Sequence, residues 1–275
     1  MRSMLRLLAI ALAVGFATSV GALPVLLVRE VSRRAYDTML GLGAGLMLAA
    51  ATLGLLPEAL ADVRAGGALQ LSLLATVLSG FAVGVALLFG MDRLIPHAHA
   101  GGHHEHMHGH EEGAHEHCDH HSADERARHQ GLLIVGAMSL HRLPEGFAIG
   151  AGFATSRTAP LGLLLAVAVG LQNAVEGAVM AAPLKRGGLQ PGRLIAIVAG
   201  TGLTVPLAAL TGYLVANHVA RALPFMLAVA AGALLYLTCN EIIPESHSHG
   251  NERRATFGLL AGVVVIILVK ALVGE

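Results

Sequence analysis

The chain predicts an all-α polytopic membrane protein with eight transmembrane helices. Three observations carry that expectation. Of its 275 residues, 55% are hydrophobic and 13% are charged, whereas soluble domains carry about 25% charged residues. Mean hydropathy is +0.67. The apolar residues also gather into eight runs, each close to the roughly 20 residues a helix needs to cross the hydrocarbon.

In order, the predicted spans are 4–28, 36–62, 68–92, 130–154, 159–184, 192–216, 222–244 and 255–273. The first follows Arg2 and Arg6, as a secretory signal would. Its apolar stretch is longer than a signal core and GALP is a poor cleavage site, so it reads as a retained helix. The last is the shortest, because Lys270 trims its uncharged core. Cys118 lies in a polar run and Cys239 in an apolar one, so no disulfide framework is expected. Cys239 reads as a core residue, and His218 as an ordinary loop histidine.

Orientation follows from the basic residues. Arg29, Arg33, Arg34, Arg93, Arg126, Arg128, Lys185, Arg186, Arg193, Arg253 and Arg254 flank one side; Arg2, Arg6, Arg64, Arg157, Arg221 and Lys270 flank the other. The positive-inside rule puts the richer side in the cytoplasm and both termini outside it. In a bacterium this is the inner membrane. Zero net charge gives no basic surface to argue from, and nucleic acid is not an expected partner. The lipid bilayer is, and a homodimer is compatible with the sequence.

Four regions follow: spans one to three (1–92), a polar loop (93–129), spans four and five (130–184) and spans six to eight (185–275). The loop holds twelve of the sixteen histidines, among them His97, His99, His103, His104, His106, His108, His110, His115, His117, His120 and His121. Glycine, charge and the lack of apolar periodicity predict disorder without a ligand. Imidazoles at that density, mixed with carboxylates, suit borderline divalent metals such as zinc. The simpler alternative is a soluble spacer.

GLMLAAATLGLLPEAL, from Gly45, aligns without gaps on GALLYLTCNEIIPESH, from Gly232. In the predicted topology these segments run in opposite senses, so spans one to three and six to eight would form an inverted repeat. The alignment puts Glu58 and Glu245 at opposite mouths of the protein, with Asp92 a further carboxylate at a helix end. Such end carboxylates are also compatible with plain solvation.

The chemistry concentrates in two spans. The fourth carries HRLPEG, with His141, Arg142 and Glu145, and the fifth carries QNAVEG, with Gln172, Asn173 and Glu176. Ionisable groups at mid-membrane cost several kcal/mol and therefore face a partner or water. At 100° per residue, positions i and i+1 flank position i+4 on one helix face. Glu145 is thus flanked by His141 and Arg142, and Glu176 by Gln172 and Asn173. A connection of only 155–158 makes the two helices antiparallel neighbours. Facing each other, they offer an imidazole, two carboxylates and an amide oxygen, a donor set for a divalent metal. Pro144 frees the carbonyl of Leu140, and Gly146 and Gly177 are expected to let these two helices approach closely. The competing reading is a structural Arg142–Glu145 ion pair. On the seventh span, Asn240 and Glu241 lie a turn inside the helix end.

HRLPEG, QNAVEG and NEIIPESH, with the eight spans and the His-rich loop after the third, resemble the ZIP (Zrt/Irt-like) family of divalent-metal transporters, and within it the bacterial GufA-like branch. The resemblance implies a ZIP-transporter fold and Zn2+ uptake into the cytoplasm, with tolerance for Cd2+, Fe2+ or Mn2+. It implies ligands at His141, Glu145, Gln172 and Glu176, with Asn173, Asn240 and Glu241 as further contributors. Two departures bear on a second metal. Arg142 replaces the asparagine of the family's His-Asn-x-Pro-Glu-Gly, and Val205 stands in GLTVPL where an acidic residue is expected. Arg142 therefore reads as a built-in cation in place of a second metal. No ATP-binding motif appears. A membrane-embedded metallohydrolase is the first competing class, although no HExxH motif or evident general base supports it. Metal efflux is the second.

Overall fold

The computed structural model describes residues 2–28, 32–63, 69–94, 135–136, 139–155, 158–219 and 222–273. The His-rich loop and its eleven named histidines lie outside the described residues, as does the side chain of Asp92. Among the described residues there is no strand. We number the helices α1 (Arg2–Leu27), α2 (Arg33–Leu60), α3 (Leu71–Leu94), α4 (139–152), α5 (Ala159–Arg186), α6 (Pro191–His218), α7 (Leu223–Ser246) and α8 (Glu252–Val273). All but α4 are long and apolar enough to cross a membrane. For α4, the first residues of the predicted span fall outside the described part, and residues 139–152 are helical through Pro144.

Observed ends depart from the predicted ones by a few residues, because caps rather than hydropathy set them. Ser32 accepts the amide of Ala35 and starts α2 ahead of its apolar run. Pro191, with no N–H to leave unbonded, opens α6. Lys185 of α5 donates to the carbonyls of Val25 (2.8 Å) and Val28 (2.6 Å), closing the C-terminal end of α1.

The prolines leave marks. Residues Ala50–Leu55 of α2 and Thr238–Ile242 of α7 are π-helical turns, and each ends just before a proline, Pro57 or Pro244. They occupy corresponding places in the two segments that align in sequence. A wide turn is one way a helix absorbs the hydrogen bond that proline cannot donate. In α2 the carbonyl that Pro57 leaves is that of Leu53, and Lys270 of α8 donates to it. A lysine that looked like a defect in the eighth span thus satisfies a neighbouring helix. Around Leu203, α6 is also interrupted, three residues before Pro206.

Glycines decide which helices touch. A Cβ on Gly45 would stand 2.0 Å from the carbonyl oxygen of Leu259, and one on Gly258 would stand 2.3 Å from that of Thr38, so α2 and α8 are in backbone contact. Gly84 and Gly232 bring α3 against α7 in the same way. Gly21 and Gly177 seat α1 on α5, Gly150 and Gly212 seat α4 on α6, and Gly15 meets Gly202 where α1 crosses α6. Two groups of helices result: α1, α4, α5 and α6, and α2, α3, α7 and α8. They meet partly through α2 against α5.

This corrects one expectation. Gly146 packs on Val205 and Ala208 of α6, and Gly177 packs on Thr18 of α1. Neither lies between α4 and α5. Each glycine follows a site glutamate by one residue, so it points about 100° away from the face that carries the glutamate. Gly152 and Gly162 are the pair that brings α4 and α5 together, beside the short connection. A second correction concerns Cys239. It is exposed rather than in the core, since it lies in the π-helical turn of α7, where the face of each residue is displaced from the regular helical order.

Candidate metal centre

The helices carry the two polar motifs into one buried layer. His141, Arg142, Glu145, Gln172, Asn173 and Glu176 are all at most 5% exposed, a density of buried polar groups that packing alone does not call for. Position within each helix follows the spacing expected. The partners across helices do not all follow it.

Gln172 sits between the two carboxylates. Its Nε2 donates to Glu145 Oε1 at 2.9 Å and to Glu176 Oε1 at 2.8 Å. Gln172 and Glu176 are one turn apart on α5, and Glu145 comes from α4, so the amide bridges the two helices. Arg142 approaches from the other side. Its Nη2 donates to Glu176 Oε2 at 3.2 Å, and its Nη1 donates to Thr201 Oγ1. Thr201 passes its own hydroxyl proton to the carbonyl of Val198 at 2.7 Å. The expected alternative of an Arg142–Glu145 pair is not what forms: the guanidinium spans α4 to α5 and α6, as a long forked side chain can.

One buried oxygen of Glu145, Oε2, has no hydrogen-bond partner, and neither has Arg142 Nε. Buried polar atoms are nearly always satisfied, which sets Glu145 Oε2 apart as a candidate ligand atom. Asn173 turns away from the carboxylates and donates to the carbonyl of Val14 on α1 at 3.0 Å, while its Oδ1 stays buried without a partner. It joins α5 to α1.

His141 faces a second direction. Its Nε2 lies 3.5 Å from Glu241 Oε1 on α7. The imidazole thus connects the α4–α5 layer to the helix-7 carboxylate that the sequence marks as a contributor. Asn240 is exposed beside it, and Glu241 retains 24% side-chain exposure. Glu58 and Glu245 are partly buried near the ends of α2 and α7. Val205 is fully buried and presents no ligand. His218 caps its own helix through Leu214 and is exposed.

Among the described residues no three His, Cys, Asp or Glu side chains are drawn into a closed metal cage. The donors are nevertheless the right kinds, two carboxylates, an amide and an imidazole on adjacent helices. Sequence reasoning missed Thr201, which carries no membrane-charge signal because hydroxyls are common in apolar helices, where they bond back to the preceding turn. It also missed Asp37, fully buried near the start of α2.

Comparison with known proteins agrees with this architecture. The family described as ZIP Zinc transporter matches residues 4–270. The zinc transporter GufA of Myxococcus xanthus is 37% identical over 94% of this chain and 96% of its own length. The zinc transporter ZIPB of Bordetella bronchiseptica is 35% identical over 95% of this chain and 80% of its own. The zinc transporter ZupT of Corynebacterium aurimucosum is 28% identical over 94% of this chain and 93% of its own. The buried carboxylate pair thus belongs to a polytopic membrane transporter rather than an enzyme, and the chain is a member of the ZIP family.

Proposed function

We propose that the protein carries Zn2+ across the bacterial inner membrane into the cytoplasm, through a centre formed by His141, Glu145, Gln172 and Glu176. The observation that carries this reading is the buried triad Glu145–Gln172–Glu176, whose two carboxylates share one amide nitrogen. Two carboxylates in a low-dielectric layer offset a dication that would otherwise be costly there. The amide N–H groups of Gln172 hold the carboxylates. For an ion to enter, the Gln172 amide turns about its last torsion so that Oε1 replaces Nε2. The ion then meets Glu145 Oε2, and His141 swings in from Glu241. An amide and two carboxylates hold metal less firmly than thiolates, which keeps binding reversible. The same donor set tolerates Cd2+, Fe2+ or Mn2+.

The centre is mononuclear in this reading. Arg142 already fills the place beside Glu176 with a permanent positive charge, and Val205 offers no donor. With both termini outside, the ion passes from the mouth near Glu58 to Glu241 and Glu245 at the cytoplasmic end. Alternation of access comes from rocking α1, α4, α5 and α6 against α2, α3, α7 and α8. The contacts are compatible with the inverted repeat of helices 1–3 and 6–8 expected from the sequence: exchanging 2 with 7 and 3 with 8 maps the α2–α8 contact onto α7–α3. The His-rich loop acts as a cytoplasmic buffer or sensor outside the path, and a homodimer is compatible with this reading.

Radioactive zinc uptake into proteoliposomes, with right-side-out and inverted fractions separated, tests the proposal. Net flux toward the face that bears the His-rich loop is expected. Flux only in the opposite direction establishes efflux. Zinc-dependent hydrolysis without flux establishes the enzymatic alternative.

A further inference from the structure

Beyond the centre, one cluster joins Glu245 of the proposed path to two titratable groups, Asp37 and His249, that have no role in the mechanism above. It lies where the start of α2, the end of α7 and the turn into α8 meet. Asp37 is fully buried, and both its oxygens are engaged: His249 Nδ1 lies 3.0 Å from Oδ1, and Asn251 Nδ2 donates to Oδ2 at 2.8 Å. The Tyr36 ring stands edge-on to the His249 ring at 6.0 Å between centroids. These contacts fix the imidazole in position.

They also favour one tautomer of the neutral ring. A carboxylate at Nδ1 makes that nitrogen the donor, which leaves the lone pair of a neutral imidazole on Nε2. Nε2 faces Glu245 Oε1 at 4.0 Å. That oxygen is itself buried and has no hydrogen-bond partner. With the imidazole neutral, two acceptors thus face each other one helical turn apart, a pair that a proton or a metal cation bridges. A carboxylate that orients an imidazole for a metal on its other nitrogen is a recurring arrangement.

We propose that His249 Nε2 and Glu245 Oε1 form a second divalent-cation site, for zinc or a similar borderline metal, with Asp37 as the positioning residue. A zinc ion held at about 2.0–2.2 Å from each ligand in tetrahedral geometry needs them about 3.4 Å apart. Closing 4.0 Å to that distance takes a shift of roughly half an ångström between residues on one short turn. Two protein ligands leave the remaining positions to water, so the site is open and exchanges its ion readily. Its place completes a line of donors: His141 meets Glu241, Glu241 is one turn from Glu245, and Glu245 faces His249. The inference rests on the proposed transport function, since the site receives the ion after the α4–α5 centre, but its ligands are separate from that centre.

Anomalous diffraction at the zinc edge, on zinc-soaked crystals of the full chain, tests both sites independently. A peak between His249 and Glu245 is expected, and the same peak is absent from crystals of His249→Gln, which keep the peak at Glu145 and Glu176. Asp37→Asn is expected to weaken the first peak without removing it, because its neutral amide no longer holds the imidazole in one tautomer. Crystals with zinc at Glu145 and Glu176 and none at His249 overturn this proposal alone. Zinc at His249 and none at Glu145 and Glu176 overturns the transport centre alone, and density at neither overturns both. Should His249→Gln fail to fold, the position of the peak in the unsubstituted protein and its loss in Glu245→Gln decide the question.

Discussion

Replacing Arg142 by asparagine separates its two roles, as the partner of Glu176 and as occupant of a second metal position. The guanidinium is fully buried and donates to Glu176 Oε2 and Thr201 Oγ1. Thr201 loses little, since it still donates to Val198. Glu176 loses its cation and retains only the Gln172 amide, which it shares with Glu145. Breaking one side of a buried ion pair costs about 3–5 kcal/mol. At roughly 2–4 °C per kcal/mol for a chain of this size, the metal-free variant loses on the order of 10 °C in apparent Tm. Zinc then supplies the missing positive charge, and at a hundred times its Kd it restores about 2.7 kcal/mol. Heating detergent-solubilised protein in steps and measuring the monodisperse fraction by size-exclusion chromatography reads both effects. The zinc-induced rise is expected to be larger in Arg142→Asn than in the unsubstituted protein. A double-mutant cycle with Glu176→Gln is expected to show coupling, because the second substitution removes the buried charge left uncompensated by the first. If Arg142→Asn melts with the unsubstituted protein in the absence of metal, the guanidinium does not balance Glu176 and the built-in-cation account fails.

Three further outcomes are expected. Glu145→Gln and Glu176→Gln should each reduce zinc flux in proteoliposomes to near background while eluting as folded protein, and ordinary rates in both would move the centre elsewhere. Excising residues 96–121 should leave transport in place with altered regulation or apparent affinity; complete loss from a folded, inserted variant would put the loop in the path. Lys270→Met should lower apparent Tm, since it strips the donor from the Leu53 carbonyl, and leaving a buried acceptor unsatisfied costs about 1–3 kcal/mol. Lys270→Arg should keep most of that stability, and equal melting of both with the unsubstituted protein would show that the contact contributes nothing.

Sequence alone determined the class, seven of the spans and the polar layer that α4 and α5 bury. Eight apolar runs are legible because a membrane helix must satisfy its backbone internally and cover roughly the same thickness each time. HRLPEG and QNAVEG are legible because charge inside a bilayer is too costly to keep without purpose, and the order of polar residues within each motif follows from 100° per residue. Tertiary structure decided everything that depends on how one helix is rotated against the next. Gly146 and Gly177 sit beside the site glutamates in sequence, yet they meet α6 and α1. Arg142 has Glu145 within one turn, yet it bonds Glu176 and Thr201. His141 reaches Glu241, 100 positions further along the chain, and Asp37 holds His249 across more than two hundred. The helical repeat fixes angles within one helix, whereas these pairings depend on backbone contacts at glycines and on π-helical turns before Pro57 and Pro244 that displace the following faces. The prolines mark where a face is displaced, but which neighbour it then meets is set only when the helices pack, so no spacing along the chain records the pairing.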